Sequence, residues 1–152
     1  MKIKNLFLKL FINTDLQKDI LFLRSIDFFE ELSISQLKKL RAHMYKKTYM
    51  PKEVIYKKGQ EAKFFCIIRS GVIELDDGKD KQVIHKRNFF GQKFAFNDNE
   101  IYTNTARALE ETKVFLLYKD DVEALMEKDK NIGFRMFKKL LKMLYKRTQN
   151  ER

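Results

Sequence analysis

The sequence predicts an α+β fold, in which an antiparallel β-sandwich or jelly roll of about eight strands lies between N-terminal helices and a long C-terminal helix. Two observations predict it. Apolar residues recur at helical spacing before residue 45 and again over residues 131–147, whereas residues 45–118 contain short β-branched and aromatic runs. Turn residues separate these runs at regular intervals, as is typical of a sandwich or barrel.

Length and composition favour one folded domain. A chain of 152 residues with 44% hydrophobic residues and 14 Phe can bury a core large enough to offset the entropy of folding. The charge is +11, from 32 Lys and Arg against 21 Asp and Glu, which would attract polyanions. Because the lysines are scattered along the chain, we favour a solvated basic surface over a dedicated polyanion site.

Cysteine and histidine usage argues against redox and metal chemistry. Cys66 has no second cysteine with which to form a disulfide, and His43 and His85 lack carboxylates at metal-ligand spacing. Asp120 and Asp121 begin a helix, where capping and favourable interaction with the helix dipole would explain them. No nucleophile-with-base motif or phosphate-binding loop is present. We therefore expect no catalysis, no metal and no cofactor, in a cytoplasmic protein.

The N-terminal region predicts three helical stretches. Residues 3–10 carry Ile3, Leu6, Phe7 and Leu10 at helical spacing, and residues 2–12 would form an amphipathic segment that docks on protein or rests on a membrane surface. Lys9 interrupts this apolar run, which argues against a cleaved signal peptide. Residues 16–24 continue helically. Ser33 and Gln36 form a capping box that opens a helix over about residues 34–44.

The central region predicts seven strands by its apolar runs. Asp77-Gly78 is a strong hairpin signal between two of them, because both residues tolerate positive φ. The predicted strands are Lys47 to Met50, Glu53 to Tyr56, Phe64 to Arg69, Val72 to Leu75, Gln82 to Lys86, Tyr102 to Leu109 and Lys113 to Leu117.

The C-terminal helix carries an apolar stripe over residues 131–147. Burial in the core and pairing with a second subunit would both explain such a stripe. It consists of Met136, Phe137, Leu140, Leu141 and Leu144. With no internal linker, the predicted organisation is an N-terminal segment (1–21), one domain (22–147) and a polar tail (148–152).

Over about residues 22–145 this pattern resembles the cyclic nucleotide-binding domain of catabolite-activator-type regulators, cyclic nucleotide-gated channels and kinase regulatory subunits. Several segments carry the resemblance in order. Gly71 falls where the family turns sharply between strands, a position that suits glycine at positive φ. The segments are 22–37, 49–60, 64–75, 89–92, 103–110 and 114–117.

Within that resemblance, Phe90-Gly91-Gln92 matches the Phe-Gly-Glu that opens the family's phosphate-binding cassette, which includes a short helix. A helix start favours anions, and the family adds an arginine for the phosphate and a glutamate for the ribose hydroxyl. Here Gln92 replaces the glutamate. Tyr102, or Ile101 if the loop is shifted by one residue, replaces the arginine. The pocket-equivalent positions are Phe90, Gly91, Gln92, Lys93, Phe94, Tyr102, Thr103 and Asn104.

Two further departures from the family concern its glycines and its arginine. Lys52 and Arg87 stand at turns where the family has glycine. Arg107 is five residues from Tyr102, so strand alternation directs the two side chains to opposite faces and Arg107 is a poor substitute.

Three hypotheses of function follow from this sequence. The first is a non-enzymatic regulatory or protein-interaction domain that does not bind cyclic AMP or cyclic GMP in the usual way and that forms a homodimer through its C-terminal helix. The second is a genuine cyclic nucleotide sensor with a pocket rebuilt from Lys93, Gln92, Thr103 and Asn104. The third is a basic protein that binds a polyanion or a membrane surface. Direct DNA binding is not expected, because no helix-turn-helix follows the C-terminal helix.

Overall fold

The computed structural model describes residues 14–92 and 99–150. The helix predicted over residues 3–10, the predicted cassette helix, and the side chains of Lys93 and Phe94 lie outside the described residues. The described helices are α1 (Thr14–Arg24), α2 (Ile34–Ala42), α3 (Lys119–Lys128) and α4 (Lys130–Asn150), with a 3-10 turn over Asp27–Phe29. The strands are β1 (Tyr45–Tyr49), β2 (Val54–Tyr56), β3 (Phe64–Ser70), β4 (Val72–Asp76), β5 (Lys81–His85), β6 (Phe89–Phe90), β7 (Thr105–Ala108) and β8 (Thr112–Tyr118).

The eight strands form two four-stranded antiparallel sheets, with strand orders β1-β8-β3-β6 and β2-β7-β4-β5. The predicted α+β sandwich with a C-terminal helix is therefore confirmed. Most predicted strand boundaries shift by one or two residues, β6 was not among the predicted strands, and one boundary shifts by three residues. The strand predicted from Tyr102 begins only at Thr105, because Tyr102 pairs its backbone with the loop after β2, donating to Gln60 O and accepting from Gly59 N.

Alternate residues of the strands face a shared apolar core, as the alternating pattern of β4 requires. Ile73 and Leu75 of β4 point inward with Ala106 and Ala108 of β7. From the other sheet, β3 and β8 contribute Cys66, Ile68, Val114 and Leu116. The small alanines of β7 leave room for larger aromatic side chains nearby, which form the site described below.

The hairpin predicted at Asp77-Gly78 is confirmed as the connection between β4 and β5, but Asp77 does not have the positive φ that was expected of both residues. Asp77 Oδ1 accepts hydrogen bonds from the N–H groups of Lys79 and Asp80, at 2.8 and 2.9 Å. Gly78 has φ +93. The turn is thus fixed by local chemistry that the sequence displays.

The turn at Gly71 between β3 and β4 also meets the expectation. Gly71 has φ +90, and a Cβ added there would lie 2.3 Å from Thr112 Oγ1 and 2.7 Å from Glu111 O. Both the backbone conformation and the close approach of β8 therefore require glycine.

The chain divides into two compact units, one of residues 43–129 and one of the residues up to 42 together with those from 130 onward. In the helical unit, Arg41 Nε of α2 lies 2.8 Å from Asp19 Oδ2 of α1. The predicted capping box opens α2: Ser33 N–H donates to Gln36 Oε1 at 3.0 Å and Gln36 N–H to Ser33 Oγ at 3.2 Å.

Two helix ends and one predicted segment boundary differ from the expectations. The N-cap of α3 is Tyr118, which makes no side-chain capping bond. The capping role predicted for Asp120 and Asp121 is therefore wrong. Both residues lie in the first turn of α3, where their negative charge complements the helix dipole. Helix α4 continues to Asn150, into the predicted polar tail. Helix α1 runs across the boundary predicted at residues 21 and 22.

In the described part of the chain, no helix combines the length and apolar character needed to cross a membrane.

Candidate ligand-binding site

The site that the sequence predicts begins at Gly91, directly after β6. Gly91 has φ +84, and a Cβ added there would lie 2.8 Å from the carbonyl oxygen of Phe64. Phe90, the residue before it, is 3% exposed and faces the core of the sandwich. The backbone of Gly91 therefore lies close to that of Phe64, and the space beside Gly91 is in the interior of the β unit.

Tyr102 fills the space beside Gly91. Its side chain is 2% exposed, and its ring would lie 3.6 Å from a Cβ at Gly91. The hydroxyl accepts hydrogen bonds from the N–H groups of Lys63 and Phe64, both at 3.2 Å, and donates to Phe64 O at 3.0 Å. All the hydrogen-bonding capacity of this buried hydroxyl is therefore used by the backbone at the start of β3.

Tyr102 belongs to an aromatic cluster that we define as Tyr56, Phe64, Phe90 and Tyr102. The rings of Tyr56 and Tyr102 are stacked, with centroids 3.6 Å apart and planes 8° from parallel. Phe64 contacts both tyrosines, at 6.2 and 6.0 Å between centroids, and Phe90 contacts Tyr56 at 5.9 Å. The tilted and edge-to-face pairs made by Phe64 and Phe90 have the geometry that adds stability beyond the area they bury.

The two tyrosine hydroxyls stay neutral. Burial raises the pKa of Tyr102, although its backbone hydrogen bonds act in the opposite direction. Burial also raises the pKa of Tyr56 strongly, so its hydroxyl keeps the proton that it donates to Asn104 Oδ1 at 3.0 Å. The cluster therefore presents no charge to an anionic ligand.

The structure brings together four of the predicted pocket positions: Phe90, Gly91, Tyr102 and Asn104. Gln92 is half-buried and Thr103 is exposed. Lys93 and Phe94 lie outside the described residues. Tyr56 and Phe64 also belong to this site, and the sequence analysis did not include them. Neither carries a local signal, because they are 46 and 38 positions away from Tyr102 along the chain.

Arg107 is exposed on β7, whereas Tyr102 is buried and lies before that strand, so the alternation predicted for the two residues does not apply. A guanidinium N–H of Arg107 donates to Lys52 O at 2.9 Å. It therefore holds the turn before β2 and does not supply a charge to the space beside Gly91.

Lys52 and Arg87 adopt the left-handed conformation that the family's glycines would adopt with less strain. Their φ angles are 71° and 69°. Both positions therefore have a backbone conformation that favours glycine.

The aromatic cluster opens onto a cleft of about 380 Å³ in the β unit. Tyr118 forms part of its wall and lies 5.6 Å from Phe64 between ring centroids. Gln60, Glu61 and Lys63 line its polar side. Half of the eight lining residues are aromatic, and the others include a lysine and a glutamate, so the cleft combines apolar and polar walls.

Metal-binding and catalytic groupings are not found where structure is described. His43 Nδ1 lies 3.9 Å from Asp121 Oδ1, a single contact at the surface. No group of three His, Cys, Asp or Glu in residues 14–92 and 99–150 could hold a metal ion. Burial raises the pKa of the Cys66 thiol, which makes it a poor nucleophile.

A second candidate surface lies on α4. Of the predicted stripe, Leu140 is 7% exposed and belongs to the core, whereas Phe137, Leu141 and Leu144 are 50%, 50% and 37% exposed. Phe134 and Tyr145, each 66% exposed, lie on the same side at helical spacing. We call these five exposed residues the α4 apolar face; they are Phe134, Phe137, Leu141, Leu144 and Tyr145.

Comparison with known proteins identifies the class. The family model of the cyclic nucleotide-binding domain matches residues 46–129, more than half of the chain. This chain therefore belongs to the cyclic nucleotide-binding domain family.

Individual relatives agree with this assignment. The anaerobic regulatory protein of Bacillus subtilis (strain 168) is 28% identical over 121 residues, which are 75% of this chain and 47% of that protein, so the chain spans about half the length of this relative. A cyclic nucleotide-binding domain from Methylobacillus flagellatus KT has the same fold, with a TM-score of 0.74 at 16% identity over 91% of this chain and 80% of that one.

A third relative was solved with a bound nucleoside. The regulatory subunit of a cAMP-independent protein kinase A from Trypanosoma cruzi, solved with guanosine bound, gives a TM-score of 0.65 at 20% identity over 73% of this chain and 42% of that chain. At these identities the two solved structures establish the fold alone.

Proposed function

We propose that this chain is a non-enzymatic regulatory domain in which Tyr102 occupies the space that a cyclic phosphate uses in the family. Its output is then carried by protein contacts, foremost with a second copy of itself. The observation that supports this most strongly is the geometry of Tyr102: a neutral ring, buried, stacked on Tyr56 and hydrogen-bonded three times at the position the family resemblance assigns to arginine.

Two costs oppose phosphate binding at this position. The missing arginine removes a charge-assisted contact worth about 2–5 kcal/mol, or roughly thirty-fold to several-thousand-fold in affinity. The ring would also have to leave its stack and surrender hydrogen bonds worth about 0.5–1.5 kcal/mol each. Ordinary micromolar binding of a cyclic nucleotide is not expected to survive both.

The test is a calorimetric titration with cyclic AMP, cyclic GMP and guanosine as separate ligands. We expect no saturable binding of either cyclic nucleotide at or below about 10 μM. Binding in that range would support the alternative, a genuine sensor whose pocket is rebuilt from Lys93, Gln92, Thr103 and Asn104. Guanosine lacks a phosphate and is bound by a protein of this fold, so it separates loss of the phosphate site from loss of all nucleoside binding.

Self-association through α4 is the second part of the proposal. The α4 apolar face places five apolar side chains on one side of a 21-residue helix. Apolar residues repeating every three and four positions pair readily in an antiparallel or parallel helix seam. Light scattering at several concentrations tests this, and a monomeric mass at every concentration would contradict it.

The net charge of +11 does not by itself support a separate function. The described lysines and arginines include several that are already paired with carboxylates, among them Arg41, Lys81 and Lys139. Polyanion binding remains the alternative that a salt-dependent band shift would reveal.

A further inference from the structure

Lys139 of α4 is a buried cation held by exposed carboxylates of the helical unit. Its side chain is 8% exposed, and its ammonium group donates to Asp27 Oδ1 at 3.0 Å and also to Glu30. The side chains of Asp27 and Glu30 are themselves 74% and 53% exposed. Burial of an ammonium group is unfavourable unless carboxylates compensate it. The observed packing of α4 therefore depends on the negative charge of these two residues.

Two further basic residues of α4 contact the same segment. A guanidinium N–H of Arg135 donates to the carbonyl oxygen of Glu31, and Lys142 Nζ lies 3.1 Å from Glu31 Oε1. Arg135, Lys139 and Lys142 are spaced by four and then three positions, which places them within about 60° of one another around the helix. We call these three residues the α4 clamp.

The α4 clamp lies on the opposite side of the helix from the α4 apolar face. Lys139 precedes Leu141 by two residues and is therefore about 160° from it around the helix. The packed side of α4 carries Ile132 and Leu140, at 0% and 7% exposure, and two partly buried methionines. The α4 apolar face leaves five large apolar side chains 37–66% exposed. Burial of apolar area alone therefore does not decide which side of α4 is packed.

We infer that the α4 clamp fixes the rotation of α4 about its own axis, so that the α4 apolar face stays exposed and receives a second copy of this chain. Ion pairs with a buried member can select one packing among several, because every other rotation leaves the ammonium group without its carboxylates. Without the clamp, α4 turns its apolar face inward and the surface is lost. The role in self-association rests on the proposed function, whereas the fixed rotation does not.

The spacing of the exposed residues identifies the occupant as an equal helix. Phe134, Phe137, Leu141 and Leu144 follow one another at intervals of three, four and three residues. This is the heptad pattern, in which the apolar residues of one helix fill the spaces between those of another helix with the same repeat. A second copy of α4 supplies such a helix.

The experiment reverses the charges around Lys139 in the full-length chain. The broken variant carries Asp27→Lys and Glu30→Lys, which place like charges beside Lys139. Both positions are exposed, so longer side chains fit there. The contacts of Glu31 are left in place, because its ion pair with Lys142 is more exposed and therefore weaker. The swapped variant adds Lys139→Glu, which restores attraction with the opposite sign.

Thiol labelling with a maleimide reports which side of α4 is exposed. Leu141→Cys is the reporter on the α4 apolar face, and Met136→Cys is the reporter on the packed side, where Met136 is partly buried. Each reporter is placed in the wild-type, broken and swapped chains. The wild-type Cys66 is buried and reacts slowly in all of them. Rates are taken at low protein concentration, where a second copy does not cover the face.

In the wild-type chain, the Leu141→Cys thiol is expected to react at least about tenfold faster than the Met136→Cys thiol, because only the first is freely accessible. We expect this order to reverse in the broken variant and to return in the swapped variant. An order that is unchanged in the broken variant, or that fails to return in the swapped one, would overturn the inference. Fast labelling of both reporters in the broken variant would also overturn it, since α4 would then have undocked without rotating.

The concentration dependence separates this inference from the proposed self-association. In the wild-type chain, labelling of the Leu141→Cys thiol should slow as the protein concentration rises, and the broken variant should give a monomeric mass by light scattering at every concentration. If labelling in the wild-type chain does not slow, self-association is contradicted, while the order of the two rates at low concentration still decides the rotation. Self-association that survives in the broken variant would contradict the dependence of the face on the clamp.

Discussion

The rings of Tyr56 and Tyr102 lie almost parallel with their centroids 3.6 Å apart, and the hydroxyl of Tyr102 reaches past this stack to the backbone of Lys63 and Phe64. This relationship makes Tyr102 part of the core of the β unit. It follows that the residue is expected to matter for stability in the absence of any ligand.

Tyr102→Phe is therefore expected to lower the free energy of unfolding by about 1–3 kcal/mol, because it removes the buried hydroxyl that hydrogen-bonds two N–H groups and a carbonyl oxygen at the start of β3. Urea denaturation monitored by circular dichroism would measure this. Tyr45→Phe is the matched control, since Tyr45 is 54% exposed; we expect it to change stability by less than about 0.5 kcal/mol. Equal effects for the two variants would argue against the role given to the hydroxyl.

Introducing the two charged residues that the resemblance assigns to the family should allow this chain to bind a cyclic nucleotide. The double variant Gln92→Glu with Tyr102→Arg supplies the ribose acceptor and the phosphate fork, and we expect its affinity for cyclic AMP or cyclic GMP to rise by roughly thirty-fold or more over the wild-type chain. Calorimetry measures the difference. The control is Gln92→Glu with Ile101→Arg, which adds the same charges one residue away at an exposed position. A gain in the control alone would indicate the shifted alignment of the loop.

The two strained turns offer a test on the backbone. Lys52→Gly and Arg87→Gly are each expected to raise the free energy of unfolding by about 0.5–1 kcal/mol, since the left-handed conformation costs other residues about 1–2 kcal/mol and glycine loses part of that gain in entropy. Lys138→Gly, at an exposed position within α4, should lower it by about 1 kcal/mol. Thermal unfolding of the three variants would show the two expected increases in stability and the one expected decrease.

The α4 apolar face predicts the behaviour of the chain in solution. Leu141→Asp should convert a dimer to a monomer, because it places a charge within an apolar seam, and the mass from light scattering should halve. Lys146→Asp also adds an acidic residue to the same helix, at an exposed position about 100° or more around the helix from each residue of the apolar face, and should leave the mass unchanged. Loss of the dimer in both variants would point to a general effect of charge.

A cluster of ion pairs within the helical unit predicts how stability depends on pH. Lys139, 8% exposed, donates to Asp27 Oδ1 at 3.0 Å and also to Glu30. The hydrogen bond from Lys139 lowers the pKa of Asp27 below its ordinary value of 3.8. Stability from such a carboxylate is present above its unfolded pKa and is lost as the pH falls through its folded pKa.

Asp27→Asn should therefore be less stable than the wild-type chain above about pH 5, and the difference should shrink as the pH is lowered below 3.8. Chemical denaturation at a series of pH values would show this. In a Lys139→Met background the pH-dependent part of the difference should disappear. If it persists, Asp27 owes its effect to another group.

Local signals in the sequence were sufficient to predict most of the helices, strands and turns. Alternating apolar residues, the Asp77-Gly78 turn and the Ser33–Gln36 capping box each act over a few residues, and each is found where it was predicted. Where a prediction from the sequence was wrong or incomplete, the burial of the side chain depended on contacts with residues far away in the sequence. Leu140 could not be separated from Leu141 by periodicity, yet one is 7% and the other 50% exposed.

The sequence by itself determined the order of the helices and of most strands, and the family; that Gln92 and Tyr102 replace charged residues of the family is a prediction from the resemblance. It could not determine what Tyr102 does in place of an arginine. That depended on Tyr56 from β2 and Phe64 from β3, which are brought against Tyr102 by the fold of the β unit. Stacking and hydrogen bonding of a buried ring are properties of its surroundings, so tertiary structure decided them.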